Sequence, residues 1–334
     1  MSLLELRDVV VDYERRGGGR VRAVAGASIG VEPGQIVGLV GESGCGKSTL
    51  ARAAVGLVKP VSGSVVFDGK DVTPLSRRGR ERDLARLQLV FQNPYSSLNP
   101  RRKIGSQLAD ALVTLGIVPA AGRAQRVREL CELVGLPAGA VDRFPHEFSG
   151  GQRQRIAVAR TLAAEPSVIV LDEPLASLDA SAQAQLANLL VQLSRDLDLG
   201  LLLISHDLAI VRHVADEVSV MYLGKMVEAG ETRRLWDRPL HPYSEALIKA
   251  IPHPDGNGFL PESLPGEVPD PAHPPSGCRF HPRCPYVFDR CRAEEPPLVA
   301  LADERFAACW LQPDGTVGMP LSERVKLVNN PGVQ

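Results

Sequence analysis

Aromatic side chains are scarce in this chain, at 4% of 334 residues, too few to build a stacking surface for single-stranded nucleic acid. Net charge is close to nil, at −1, so there is no overall basic field to draw the protein onto a phosphate backbone. No window approaches 18 consecutive apolar residues. The opening Met1-Ser2-Leu3-Leu4-Glu5-Leu6 has neither a basic leader nor a cleavage signal, so the expectation is a protein of the cytosol. Cysteine is sparse too, six in all, and in a reducing compartment these thiols are not expected to form disulfides. What remains is a soluble, globular chain, 44% hydrophobic, long enough for one sizeable domain and a smaller one.

The stretch around which the rest is organised is Gly41-Glu42-Ser43-Gly44-Cys45-Gly46-Lys47-Ser48-Thr49, of the form G-x-x-x-x-G-K-[ST]. The apolar run Ile36–Val40 before it predicts a buried strand, and Thr49–Val55 after it predicts a helix. Three glycines allow a tight wrap in which backbone N–H groups and the positive end of the helix face phosphate oxygens. Lys47 is then expected to reach the β- and γ-phosphates and Ser48 to offer its hydroxyl to Mg²⁺. Cys45 reads as a small filler within the loop.

Residues 3–12 and Val21–Val31 predict an antiparallel hairpin laid over the core, with Tyr13 near its end. Arg77, Arg78, Arg80, Arg82 and Arg86 read as one solvated helix face. Helical periodicity dominates from about 104 to 164. Val168–Leu171 and Leu201–Ile204 are short apolar runs separated by helix-like sequence, the βαβ arrangement of a parallel sheet. Val218–Tyr222 and Lys225–Glu228 predict a hairpin turning at Leu223-Gly224. From Ile251 to Pro275 proline and glycine recur every few residues, as in an extended connector.

Asp172 ends one apolar run where a parallel sheet presents ligands, and suits Mg²⁺ held through water. Glu173 follows it as a second carboxylate able to polarise an attacking water. An acidic pair capping the turn at Pro174 is the alternative. Ser149-Gly150-Gly151-Gln152 makes a second phosphate-seeking helix start, and one nucleotide does not need two. In this motif, between phosphate loop and acidic strand, the chain resembles the ATP-binding cassette (ABC) family over roughly residues 3–250.

That resemblance implies a role for several residues. Tyr13 would stack on adenine, while Gly41, Ser43, Gly44, Cys45, Gly46, Lys47, Ser48 and Thr49 would hold ATP. Gln92 would touch Mg²⁺, with Ser48 and Asp172, and couple to a membrane partner. Glu173, His206, Gln92 and Lys47 would serve catalysis. Ser149, Gly150, Gly151 and Gln152 would act on the ATP of a partner subunit, and Asp179 would lie in the loop that reaches across the dimer. Phe148, where leucine is commoner, and Leu175-Ala176, where Thr-Ser is usual, depart from the family pattern without removing a catalytic group. The fold class implied is α/β: a P-loop NTPase with a RecA-like parallel core, an antiparallel β subdomain and a helical subdomain at about 92–164, all within residues 1–250. A cysteine-containing extension would occupy 251–334.

Within that family, Phe91-Gln92-Asn93-Pro94-Tyr95-Ser96-Ser97-Leu98-Asn99-Pro100-Arg101, His241-Pro242-Tyr243 and Leu264-Pro265-Gly266-Glu267 resemble the oligopeptide/dipeptide/nickel uptake branch. The expected function is ATP hydrolysis driving peptide import. The expected partners are a second, related ATPase, two permeases and a solute-binding protein at the cytoplasmic face of a membrane, with no nucleic acid. Nickel or another small solute as cargo, or a non-transport ATPase acting on ribosome or DNA, are the alternatives. Cys278, Cys284, Cys291 and Cys309 lie within about thirty residues, a density typical of metal binding. No C-x₂-C knuckle occurs, and the spacings, with the resemblance, favour a [4Fe–4S] cluster over Zn²⁺. Four unliganded thiols are the remaining alternative.

Overall fold

Runs that are buried on both faces build the centre of the molecule. In the computed structural model, which describes residues 2–15, 18–74, 81, 83–93, 98–251, 264, 266–301 and 303–312, every residue of β3 (Ile36–Val40), β7 (Val168–Asp172) and β8 (Gly200–Ser205) is buried. Side chains alternate across a strand, so each run feeds two cores. Ile169, Leu171, Leu201 and Leu203 join one. Val168, Val170, Leu202 and Ile204 join the other.

β1 (Leu4–Glu14) and β2 (Arg20–Val31) form the antiparallel hairpin read from the sequence, and β4 (Ser62–Phe67) and β5 (Lys70–Asp71) extend it in the order β2-β1-β4-β5. This sheet and α1 (Lys47–Ala54) cover one face of the central sheet and share its second core. The central sheet holds β6 (Leu87–Val90), β7, β8, β3 and β9 (Glu217–Tyr222) side by side and parallel. Between β6 and β7 come α2 (Ile104–Leu115), α3 (Arg123–Leu133) and α4 (Gly150–Leu162). With α5 (Ala180–Asp196) and α6 (Leu208–Val214) they pack on the opposite face.

β9 turns into antiparallel β10 (Lys225–Glu231) through Leu223 and Gly224, both at positive φ. α7 (Thr232–Asp237), α8 (Pro242–Lys249) and α9 (Asp289–Ala293) follow. The last strands, β11 (Val299–Ala300) and β12 (Phe306–Ala307), add to the central sheet beyond β10. No helix among the described residues is long and apolar enough to cross a membrane. Arg77, Arg78, Arg80 and Arg82, the stretch Pro94-Tyr95-Ser96-Ser97, Pro265 and much of the proline-rich connector lie outside the described residues.

Candidate nucleotide site

Four neighbouring parallel strands end on the same side, and each delivers one part of the site. β3 leads into the glycine loop, β7 ends at Asp172, β8 leads to His206 and β6 to Gln92. Crevices at the carboxyl ends of such strands are where open α/β sheets bind ligands. Here the crevice is a cleft of about 450 Å³ lined by Ser43, Gly44, Gly46, Lys47, Ser48, Thr49, Gln92, Glu173 and His206, with Ala23 from the hairpin.

The loop is held by close backbone approach. Gly46 caps α1 at φ 111°, and a Cβ there would stand 2.2 Å from the Ala23 carbonyl oxygen. Lys47 is buried at 4% exposure, and its ammonium donates to the carbonyls of Gly41 (2.7 Å) and Glu42 (3.0 Å). Cys45 packs beneath it, also 4% exposed, and burial pushes its thiol pKa up. The filler reading holds.

Ser48 Oγ donates to Asp172 Oδ1 across 2.8 Å. Burial raises the Asp172 pKa, and the Ser48 hydrogen bond opposes that shift. Hard oxygen donors at the end of a phosphate loop suit Mg²⁺. Glu173 sits at φ 50°, a left-handed conformation that few non-glycine residues adopt, and its amide donates to the Ile204 carbonyl at 3.0 Å. Its Oε2 lies 2.5 Å from His206 Nδ1. An ionised carboxylate only accepts, so Nδ1 carries the hydrogen and Nε2 remains for another partner.

The Ser-Gly-Gly-Gln stretch forms a capping box at the start of α4. Ser149 Oγ accepts from the Gln152 amide (3.3 Å) and Gln152 Oε1 from the Ser149 amide (3.0 Å). A Cβ on Gly151 would stand 3.1 Å from the Ala182 Cβ, so the motif lies against α5, whose N-cap is Asp179. None of the four lines the cleft. Tyr13 is 39% exposed on β1 opposite Val21, and Ala23 rather than Tyr13 borders the cleft. Phe148 fills a buried position under the Arg143 guanidinium, 4.4 Å from its ring centre, and Leu175 is also buried.

The sequence reading missed residues far along the chain that touch the loop. Tyr243 accepts a hydrogen bond from the Glu42 amide, and Arg283 grips the Glu42 carboxylate. Only the aromatic residue after His241-Pro242 gave any signal.

The cysteine expectation needs correction. Cys278, Cys284 and Cys291 do converge on Cys309, whose titration all three raise, and Cys278 N–H donates to the Cys291 carbonyl. Yet among the described residues no group of three or more Cys, His, Asp or Glu side chains is placed to hold a metal ion. Burial, first among the causes, pushes Cys278 up to about 11 and Cys284 to about 12, and raises Cys291 and Cys309. Neither an iron–sulfur cluster nor Zn²⁺ is supported by this arrangement, and Cys278 and Cys284 pack against the main core.

Comparison with known proteins agrees with the geometry of the cleft. Residues 24–176 match the ABC transporter family, and residues 227–291 match the oligopeptide/dipeptide transporter C-terminal region. The di/tripeptide transport ATP-binding protein DppF of Pseudomonas aeruginosa is 47% identical over 92% of this chain and 97% of its own length. The oligopeptide transport ATP-binding protein AppF of Bacillus subtilis is 43% identical over 93% and 97%. Among solved structures, cbiO1 of Clostridium perfringens, part of the ABC transporter complex cbiONQ, superposes with a TM-score of 0.63 at 28% identity, covering 71% of this chain and 91% of that one. The ATP-binding cassette MJ0796, seen as a post-hydrolysis dimer with ADP and Pi, gives 0.61 at 25%, covering 69% and 99%. With its phosphate loop, acidic strand end and signature helix in this order, the chain belongs to the ABC transporter family of ATP-binding subunits, in the branch that carries the oligopeptide/dipeptide transporter C-terminal region.

Proposed function

We propose that the chain is the ATP-hydrolysing subunit of a di- or oligopeptide importer, bound peripherally at the cytoplasmic face of a membrane. The observation that carries this is the gathering of Lys47, Ser48, Gln92, Glu173 and His206 around one cleft at the ends of four adjacent strands, in a chain whose relatives DppF and AppF are named for peptide transport. Residues 1–250 form the nucleotide-binding part, with a helical subdomain at about 92–164, and 251–334 the extension.

In this reading Gly41–Thr49 cradle the phosphates and Tyr13 meets the base. Lys47 exchanges the carbonyls of Gly41 and Glu42 for phosphate oxygens, and the amides at the start of α1 meet the same charge. Glu173 polarises the attacking water, with His206 fixing the carboxylate and contacting the γ-phosphate. Ser48, Asp172 and Gln92 would hold Mg²⁺, which neutralises charge on the phosphates when bound.

Ser149, Gly150, Gly151 and Gln152 stand apart from their own cleft, which supports a role on the nucleotide of a second, related ATPase subunit, with Asp179 reaching across. Two permeases and a solute-binding protein complete the assembly. The test is ATP turnover by that assembly. Glu173→Gln should abolish steady-state hydrolysis while ATP still binds, and unchanged turnover would refute the assignment.

A further inference from the structure

Glu42, second residue of the phosphate loop, has each of its polar groups taken by a different part of the chain. Its carbonyl accepts from Lys47 at 3.0 Å. The amide donates to the Tyr243 hydroxyl at 2.8 Å. The two carboxylate oxygens accept from the two terminal nitrogens of Arg283, at 2.7 and 3.0 Å. Parallel paired bonds of this kind fix orientation as well as charge.

The two clamping side chains belong to the C-terminal half and are themselves rigidly seated. Tyr243 is fully buried, its ring 4.6 Å from that of Tyr222 and 5.3 Å from that of Phe280. Arg283, 6% exposed, sits over both Tyr222 and Phe280 at 5.8 Å and also donates to the Tyr222 hydroxyl at 3.3 Å. Tyr243 owes its place to Glu228, whose two carboxyl oxygens accept from the Leu240 and His241 amides just before α8. His241 Nδ1 in turn accepts from the Tyr243 amide.

We propose that Arg283 and Tyr243 are positioning residues for ATP binding, through which the C-terminal region sets the shape and charge of the phosphate loop. This rests on the reading of the cleft as an ATP site. A carboxylate in a loop that must receive a polyphosphate opposes binding unless it is neutralised, and Arg283 neutralises it. The Tyr243 hydroxyl fixes the Glu42 peptide, and with it the carbonyl that holds Lys47. Neither side chain lines the cleft that Glu173 and His206 border, so the effect falls on ATP affinity more than on turnover.

The experiment measures binding of a trinitrophenyl-ATP probe to the full chain, and KM and kcat of the assembled transporter, for wild type and five variants. Arg283→Ala should raise Kd and KM about tenfold, the scale of losing a charge-assisted pair, while kcat stays within about threefold. Arg283→Lys, which keeps the charge without the fork, should recover part of that affinity. Glu42→Gln combined with Arg283→Ala should recover most of it, because the unpaired charge is gone. Tyr243→Phe, which keeps the ring and therefore the packing, should raise KM severalfold and serves as the decisive variant if Arg283→Ala fails to fold. Lys47→Ala is the control for the site itself. If wild-type chain binds the probe and Lys47→Ala does not, folded Arg283→Ala and Tyr243→Phe with wild-type KM overturn this inference and leave the ATPase reading intact. Wild-type chain that binds no probe overturns both.

Discussion

Ser48 Oγ and Asp172 Oδ1, 124 residues apart in sequence, are joined by a 2.8 Å hydrogen bond between the start of α1 and the end of β7. That bond ties the phosphate loop to the acidic strand and opposes the rise in the Asp172 pKa caused by burial. Ser48→Ala should therefore lower stability by about 1 kcal/mol, as for one net hydrogen bond, and lower ATP turnover far more. Urea midpoints paired with steady-state hydrolysis check it. A variant that loses stability but keeps full turnover would separate the bond from the chemistry.

Glu173 and His206 act as one unit if the 2.5 Å contact between them is functional. Each single variant, Glu173→Gln or His206→Ala, should reduce turnover by about 100-fold or more, and the double variant should lose little beyond the worse single one. Losses that multiply across a double-mutant cycle would show two independent roles.

Two glycines of the loop should differ in what they tolerate. Gly46→Ala places a methyl 2.2 Å from the Ala23 carbonyl, so the hairpin or the loop must move, and both folding stability and nucleotide affinity should fall. Gly44 also has positive φ, at 79°, but a Cβ there meets nothing within 4 Å. Gly44→Ala should cost only about 1 kcal/mol of backbone strain. Thermal denaturation with and without ATP distinguishes the two; equal losses would contradict the packing argument.

Much of this was legible because it is local. The strand–loop–helix at Ile36–Val55, the buried runs Val168–Leu171 and Leu201–Ile204, and the hairpin turn at Leu223-Gly224 each follow from spacing over a few residues, and they occur within a residue or two of that reading. The partnership of Glu42 with Arg283 spans 241 residues and depends on how Arg283 packs over Tyr222 and Phe280, which no short pattern encodes. The cysteines misled for a related reason. Their density in sequence fits metal binding, but density says nothing of the direction in which each thiol points.

The corrected cysteine reading makes its own prediction. Purified chain should be colourless, titrate as free thiols under denaturing conditions, and melt at the same temperature with or without a chelator. Cys291→Ser should destabilise the chain by about 1–3 kcal/mol, because it puts a hydroxyl into a buried position. Stoichiometric bound metal, or a melting temperature that falls on chelation, would reverse the correction.

Glu228 supplies the last test, through pH. Its carboxyl is wholly buried, and desolvation lifts its pKa from 4.5 to about 7 against the opposing Ser244 hydroxyl, the amides of Leu240 and His241 and the charge of Arg305. The neighbouring His241 is pushed the other way by burial, to about 3, and stays neutral throughout this range. The folded chain thus holds a proton on Glu228 that the unfolded chain releases above pH 4.5. Stability from this group is full below pH 4.5 and is lost as pH rises to about 7, by on the order of 3 kcal/mol. Glu228→Gln carries no such proton. Its carbonyl accepts one of the two amides and leaves the other unpaired, a loss that does not vary with pH. The variant should therefore be less stable than wild type at pH 5, and the gap should narrow by pH 8. Urea midpoints at half-unit intervals across that range read the difference directly, and a gap constant with pH would mean that Glu228 does not bind its proton in the folded chain.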